Sequence, residues 1–310
     1  MFSIIKHLKS VKKFIKKMFY FDVWMIGIAK CRIENFNFNK SSIIWFKNPS
    51  KTTFRADPFG FKINDKKYII FEEYSQFLKR GRIAIAEIIN DKLINKKIIL
   101  DNKKHLSYPY IFLDGDKIFM VCESYKLKKL DLYILDKSNL TLKKIRELFN
   151  DHEAIDPSII KFKEKYWLFY SRHEKAEENL YLAYANSLND DFIQHPKNPI
   201  KSCKSSSRNG GTPFFINDEI FRPSQNCQKF YGEKITINKI ITLDENNFEE
   251  EFCYEILPPN NFPNSKYNFI ATHTISQFDD STLIDVLYEE FVLYKPLISI
   301  FRNIKKIVVN

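Results

Sequence analysis

Glycine is scarce in this 310-residue chain, with only 7, and no Gly-rich phosphate loop, HExxH, GxSxG or kinase signature occurs in it. That removes the common phosphate-cradling, zinc-protease, serine-hydrolase and kinase chemistries from consideration. No apolar run approaches the roughly 18 uncharged residues of a spanning helix, so none is expected. The 5 cysteines (Cys31, Cys122, Cys203, Cys227 and Cys253) are odd in number, widely spaced and without a CxxC pair. Neither a disulfide framework nor a Cys/His zinc site is expected, and a reducing, cytoplasmic setting follows.

Acid is missing from both ends of the chain. Residues 1–21 carry Lys6, Lys9, Lys12, Lys13, Lys16 and Lys17 with no Asp or Glu, and Lys295, Arg302, Lys305 and Lys306 follow the last acid, Glu290. Of the net charge of +11, these ends hold all but +1. A near-neutral body argues against nucleic acid as a partner.

Both ends are also amphipathic. Phe2, Ile4, Ile5, Leu8, Val11, Phe14, Ile15, Met18 and Phe19 recur at helical spacing between the lysines, and the stretch 297–309 repeats the pattern. The charges are interleaved with the apolar residues, unlike a cleaved secretory leader. Two readings stand: peripheral attachment to an anionic inner-membrane leaflet, or helices packed on the domain with solvated lysines. The expected organisation is a basic segment at 1–21, a domain at 22–290 and a basic tail at 291–310.

What the chain has in abundance is a repeat of about fifty residues. Asp57-Pro-Phe-Gly-Phe, Tyr108-Pro-Tyr-Ile-Phe, Asp156-Pro-Ser-Ile-Ile and Thr212-Pro-Phe-Phe-Ile each open a strand, a polar turn and an aromatic strand. The prolines Pro58, Pro109, Pro157 and Pro213 lie 51, 48 and 56 residues apart. A degenerate fifth unit runs from Ala271 through the turn Asp279-Asp280. Four strands per period, repeated radially, predict an all-β, five-bladed β-propeller with a short amphipathic helix at each end.

In such a fold the residues before the prolines face one another across the axis. Asp57, Tyr108, Asp156 and Thr212 fill that column, with His273 at the same place in the fifth unit. A second polar set, at the far end of the hairpins, contains Glu72, Glu73, Glu123, Arg172, His173, Arg222 and Gln225. One Asp-Pro is ordinary turn chemistry; its recurrence in register points to a site. Carboxylates facing across a cavity suit glycosidic chemistry, one protonating the leaving oxygen and the other serving as base or nucleophile. Tyr108, Phe59, Tyr170 and Tyr231 offer faces for sugar rings. Arg55, Arg172, Arg208 and Arg222 offer forks for a donor phosphate or an acidic sugar.

Five groups of residues together resemble one family. They are Arg55-Ala-Asp-Pro-Phe; His105-Leu-Ser-Tyr-Pro-Tyr with Cys122-Glu-Ser; Asp156-Pro-Ser with Tyr166-Trp-Leu-Phe-Tyr; Asn179-Leu-Tyr-Leu-Ala-Tyr with His195-Pro-Lys-Asn-Pro; and Arg222-Pro-Ser-Gln-Asn-Cys with Tyr231-Gly-Glu. The family is the propeller module at the N-terminus of plant glucosamine inositolphosphorylceramide transferase, with the glycoside hydrolase families 43, 32, 62 and 68 more distant. The resemblance implies a carbohydrate-active propeller in which Asp57 is base or nucleophile. Tyr108 stands where those hydrolases carry a second aspartate, leaving Asp156 or Glu233 to supply the acid. The expected activity is a membrane-peripheral glycosyltransferase of bacterial surface-polysaccharide or lipid-linked glycan assembly, with an activated sugar as donor and no other cofactor. A furanoside hydrolase and a non-catalytic glycan-binding propeller are the alternatives. Asp57, Asp156 and Glu233 are the expected catalytic residues. Arg55, Glu73, Tyr108, Glu123, Arg172, His173, Arg222, Gln225, Tyr231 and His273 are expected to surround them.

Overall fold

Alternating β-branched and aromatic residues give each repeat strands that bury both faces between neighbouring sheets. In the computed structural model, which describes residues 11, 13–259 and 267–308, five antiparallel sheets are arranged as the blades of a propeller. Blade one is Thr53–Ile63, Lys66–Ser75, Arg80–Ile89 and Lys92–Leu100 in spatial order. Blade two is Ser107–Asp114, Lys117–Glu123, Leu130–Asp136 and Thr141–Phe149. Blade three is Ile155–Phe162, Lys165–Ser171, Asn179–Ala185 and the short Ile193–Gln194, with Lys201–Ser202 also on its third strand. Blade four is Phe214–Ile216, Glu219–Asn226, Lys234–Leu243 and Phe248–Ile256.

The fifth blade is built from both ends of the chain. Phe269–Ala271 and Ile275–Phe278 pair with Ser281–Phe291, which pairs in turn with Tyr20–Ala29, and Ile43–Phe46 lies outermost. The closing register runs without a break from Tyr20↔Phe291 to Ala29↔Thr282. This closure covers the edge of Ser281–Phe291 and leaves the short strand Ile43–Phe46 as the outer edge of the blade.

The hairpin turns follow their sequences. Asn64-Asp65 (φ 46° and 63°), Lys163-Glu164 (48° and 60°) and Asn217-Asp218 (48° and 64°) all place two residues in the left-handed region, as two-residue hairpins demand. Between blades the cores are apolar. Ile26 and Phe71 pack with Phe278 and Leu283 between blades five and one, and Trp167 and Leu182 pack with Ile220 and Ile240 between blades three and four. All five cysteines are free.

A helix, Lys295–Val308, follows the last strand. At the other end helical backbone is described over 13–19, leading directly into the strand at Tyr20. The N-terminal amphipathic helix expected from residue 2 falls largely on residues 1–10 and 12, outside the described residues.

Ile26 is fully buried on the closing strand. Truncation to alanine there is expected to cost about 2–5 kcal/mol, read as a lowered urea midpoint with one cooperative transition. An unchanged midpoint would show that the closing strand contributes little.

Candidate active site

The residues before the repeated prolines share one backbone device. Asp57 (φ 50°), Tyr108 (46°) and Asp156 (46°) all adopt the left-handed conformation that non-glycine residues avoid. At each, the strand pairing skips: between Ala56 and Phe59, Ser107 and Tyr110, and Ile155 and Ser158. A bulge re-aims a side chain, and here three equivalent bulges serve the axis. The fourth and fifth units depart from this pattern. In the fourth, the special conformation falls on Gly211 (φ 139°), where a Cβ would meet Ile275 O at 1.6 Å.

The freed amides are captured by side chains. Asp57 N–H donates to Asp285 Oδ2 at 3.1 Å, and Tyr108 N–H donates to Asp57 Oδ2 at 3.1 Å. Asp285 also accepts the N–H groups of His273 and Thr274, at 3.1 and 3.0 Å, and lies 2.8 Å from His273 Nδ1. The other Asp57 oxygen accepts from Thr274 Oγ1 at 2.7 Å and lies 3.5 Å from His273 Nε2. Trp24, from the closing strand, stacks on the His273 ring at 3.7 Å. Across the axis, Asp156 Oδ2 accepts from Arg208 Nε and from Gln225 Nε2, both at 2.7 Å.

Asp57, Glu72, Glu123, Asp156, Arg208 and His273 line one pocket of about 180 Å³, with Trp24, Tyr74, His105 and Tyr231 among its other walls. Burial sets their protonation. Burial raises the Asp57 carboxyl to about 6, against the opposing pull of His273. Burial and then the Asp156 charge raise Glu123 to about 8. Glu72 is raised well above the ordinary carboxyl range by burial and by the carboxylates around it, and its Oε1 has no hydrogen-bond partner. Burial opposes charge on His273, but Asp285 and Asp57 outweigh it and raise its pKa. Both carboxyls are thus pushed toward the protonated form, Glu123 further than Asp57.

Asp57, His273 and Asp285 have ligand atoms within 4.8 Å of one another, close enough to hold a metal ion. Three amides and the imidazole already occupy Asp285, so an ion would have to displace the bonds that fix the inner strands.

The sequence-derived candidates divide into three groups. Asp57, Glu123, Asp156, Tyr231 and His273 line the pocket, and Gln225 holds Asp156 from behind. His173 lines a neighbouring groove, while Arg172 lies over the ring of Tyr181 at 4.7 Å. The rest serve the fold. Glu73 is buried against Lys96 (2.8 Å) and Arg82 (3.0 Å), and Arg55 donates to Lys47 O and packs on Phe71. Arg222 is fully buried and saturated by Glu250, Ser206 O, Ser207 O and Asn209. The Tyr108 hydroxyl is buried on Gly211 and Ser158, so the phenol ties blade two to blades three and four. Glu233 pairs with Lys229 at 2.8 Å and does not line the pocket.

Trp24, Phe54, Glu72, Tyr74, His105, Ser107 and Arg208 also line the pocket, outside the expected set, although Glu72 and Arg208 stand among the polar and arginine candidates of the sequence. Glu72 sits in the polar column at the end of its hairpin, beside the chosen Glu73. The alternation of side chains is the signal that separates them: successive residues point to opposite faces. His105 opens the motif His105-Leu-Ser-Tyr-Pro-Tyr, and Trp24 lies on a strand with no local mark.

Comparison with known proteins then gives relatives. A family model for the N-terminal part of glucosamine inositolphosphorylceramide transferase 1 matches residues 24–285. Curated relatives of that name are 34% identical over 210 residues in Oryza sativa subsp. indica and 31% identical over 207 in Arabidopsis thaliana. Each alignment covers 64% of this chain but 28% and 27% of the relative, so the chain spans little more than a quarter of their length. Among solved structures, a family 117 glycoside hydrolase of Zobellia galactanivorans aligns with TM-score 0.55 at 13% identity, over 87% of this chain and 92% of that one. A family 43 β-1,3-galactosidase with galactodeoxynojirimycin aligns with TM-score 0.54 at 12% identity, over 67% and 78%. Those two likenesses show the fold.

The raised Glu123 pKa makes a stability prediction. Folded Glu123 holds its proton up to about pH 8, against an ordinary value of 4.5, so stability falls as pH rises between these values. Urea unfolding of the wild type is expected to show a lower midpoint at pH 8.5 than at pH 6, and Glu123→Gln is expected to reduce that difference. An unaltered difference in the variant would place the Glu123 proton elsewhere.

Proposed function

Since the chain belongs to the family of the N-terminal domain of glucosamine inositolphosphorylceramide transferase 1, we propose that it moves one glycosyl group, held in the axial pocket, to an acceptor hydroxyl. One observation carries this reading: two buried carboxyls, Asp57 and Glu123, line the same small pocket, and burial raises Glu123 further than Asp57. Such a pair divides acid from base work. Glu123 gives its proton to the oxygen leaving the sugar's anomeric carbon. Asp57 takes the proton of the incoming hydroxyl as that oxygen bonds to the same carbon. Asp156 acts through Glu123, raising its pKa, and through Arg208, which it orients. His273 opposes the rise of the Asp57 carboxyl.

The acceptor that fits is a lipid-linked glycan at a membrane surface, in a bacterial cell the cytoplasmic face of the inner membrane. The two basic ends support this, because they lie together. Lys295 Nζ donates to Lys17 O at 2.9 Å, and the rings of Phe19 and Phe291 are 6.0 Å apart. Phe14, Leu293, Leu297, Ile300 and Phe301 are all more than half exposed there. Apolar side chains flanked by lysines suit an anionic lipid surface.

Asp57→Asn and Glu123→Gln are each expected to fold and to lower turnover roughly 10²–10⁴-fold. The assay offers nucleotide sugars and simple glycosides as donors to an undecaprenyl-linked acceptor. Release of free sugar without transfer would instead mark a hydrolase, and binding without turnover a lectin-like propeller. Separately, the protein is expected to co-sediment with phosphatidylglycerol vesicles and not with phosphatidylcholine vesicles, and Leu297→Glu with Phe301→Glu to release it. Equal sedimentation with both lipids would remove the charge-directed attachment.

A further inference from the structure

The axial pocket does not end at Glu123. A groove of about 430 Å³ adjoins it, and Glu123 and Arg208 line both spaces. A file of rings runs from one into the other. Tyr74 and His105, in the pocket wall, lie 6.0 Å apart between ring centroids; Tyr125 follows at 6.1 Å from His105, and His173 at 5.3 Å from Tyr125 with the planes within 10°. Tyr125 and His173 belong to the groove, where the turn His173–Lys175 forms one bank. His105 Nδ1 accepts the Gly81 N–H at 2.9 Å, which puts the ring proton on Nε2 as a donor. Burial holds this imidazole neutral, with its pKa taken down to about 4.

The groove's charge is balanced. Lys175, Lys204 and Arg208 stand against Glu174, Glu177 and Glu178, with the Glu123 carboxyl a fourth acid whose pKa burial raises. A diphosphate needs a clear excess of cations, and none is offered here. A neutral polyhydroxyl ring needs mixed donors and acceptors beside an aromatic face, and that is what the walls supply.

We propose that the groove is a second sugar subsite, walled by Tyr125 and His173, so that the ligand is a glycan of at least two rings whose linkage lies beside Glu123. The assignment of the linkage rests on the glycosyl chemistry proposed above. In that chemistry the proton leaves Glu123 for the linking oxygen, the bond from the anomeric carbon to that oxygen breaks, and the groove sugar departs as an alcohol. Phosphate leaves without a proton, whereas an alkoxide requires one, so a proton-bearing acid matches a glycosidic donor better than the activated sugar expected from the sequence.

The test uses the full chain carrying Asp57→Asn, titrated by calorimetry with methyl glycosides of glucose, galactose, mannose, N-acetylglucosamine and arabinofuranose, and with disaccharides of each. At least one disaccharide is expected to bind about tenfold or more tightly than its methyl glycoside. Adding Tyr125→Ala is expected to abolish that gain while the methyl glycoside binds as before; Tyr125→Phe is expected to keep it. Three results overturn the proposal: no disaccharide advantage, an advantage that survives Tyr125→Ala, or uridine diphosphate binding that Lys204→Ala removes. Disaccharide binding with no turnover by the wild type would retain the subsite and sink the transfer reaction.

Discussion

Near the propeller axis the inner strands bulge, and their amides turn away from the neighbouring strand. A buried amide without a partner costs about 1–3 kcal/mol, so each must find an acceptor elsewhere. Asp285 meets most of this need by accepting three N–H groups at once, those of Asp57, His273 and Thr274. Asp57 then does the same for Tyr108, and the Tyr108 hydroxyl for Gly211. The bonds pass from blade five to one, to two, and on to the segment entering four. Around the axis the sheets are joined by side chains that replace a missing ladder.

The same bonds make the site. An aspartate that bridges two blades must be buried, and burial gives its carboxyl a pKa near neutrality. Its left-handed backbone, held by bulge and proline, fixes where the carboxylate points. Structural and chemical roles therefore fall on the same atoms. Glu123 differs in this respect. It lines the pocket at the end of its strand, and among the described residues no backbone amide donates to its carboxyl, so it is the freer of the two to act on a ligand.

The fold was legible because a propeller writes its period into the chain. Pro58, Pro109 and Pro157 mark the same bulge three times, and from them Asp57 and Asp156 follow at once. His273 was reached through the degenerate fifth unit, although its backbone lacks the shared conformation. Partnerships over distance were not legible. Arg222 reads as a free fork until Glu250, 28 residues on, is found saturating it from the next-but-one strand. Glu73 reads as a cavity acid until its side of the strand is known to face Lys96 and Arg82. Asp285 sits in an apolar strand with no neighbour of its own kind, and only the closed ring shows which amides it serves. The strand Tyr20–Ala29 was hidden by its position after a lysine-rich segment, where the pattern of the repeats does not reach.

That strand has a consequence for how the chain is made. Tyr20–Ala29 leaves the ribosome roughly 250 residues ahead of its partner, Ser281–Phe291. Until that partner appears an apolar ribbon, ending in WMIGIA, waits with one hydrogen-bonding edge unfilled. Such a ribbon pairs readily with any other exposed edge, including that of a second nascent chain. Lysines directly ahead of it place like charges on every copy and keep two waiting ribbons apart. That separation matters only until the ring closes and the edge is filled.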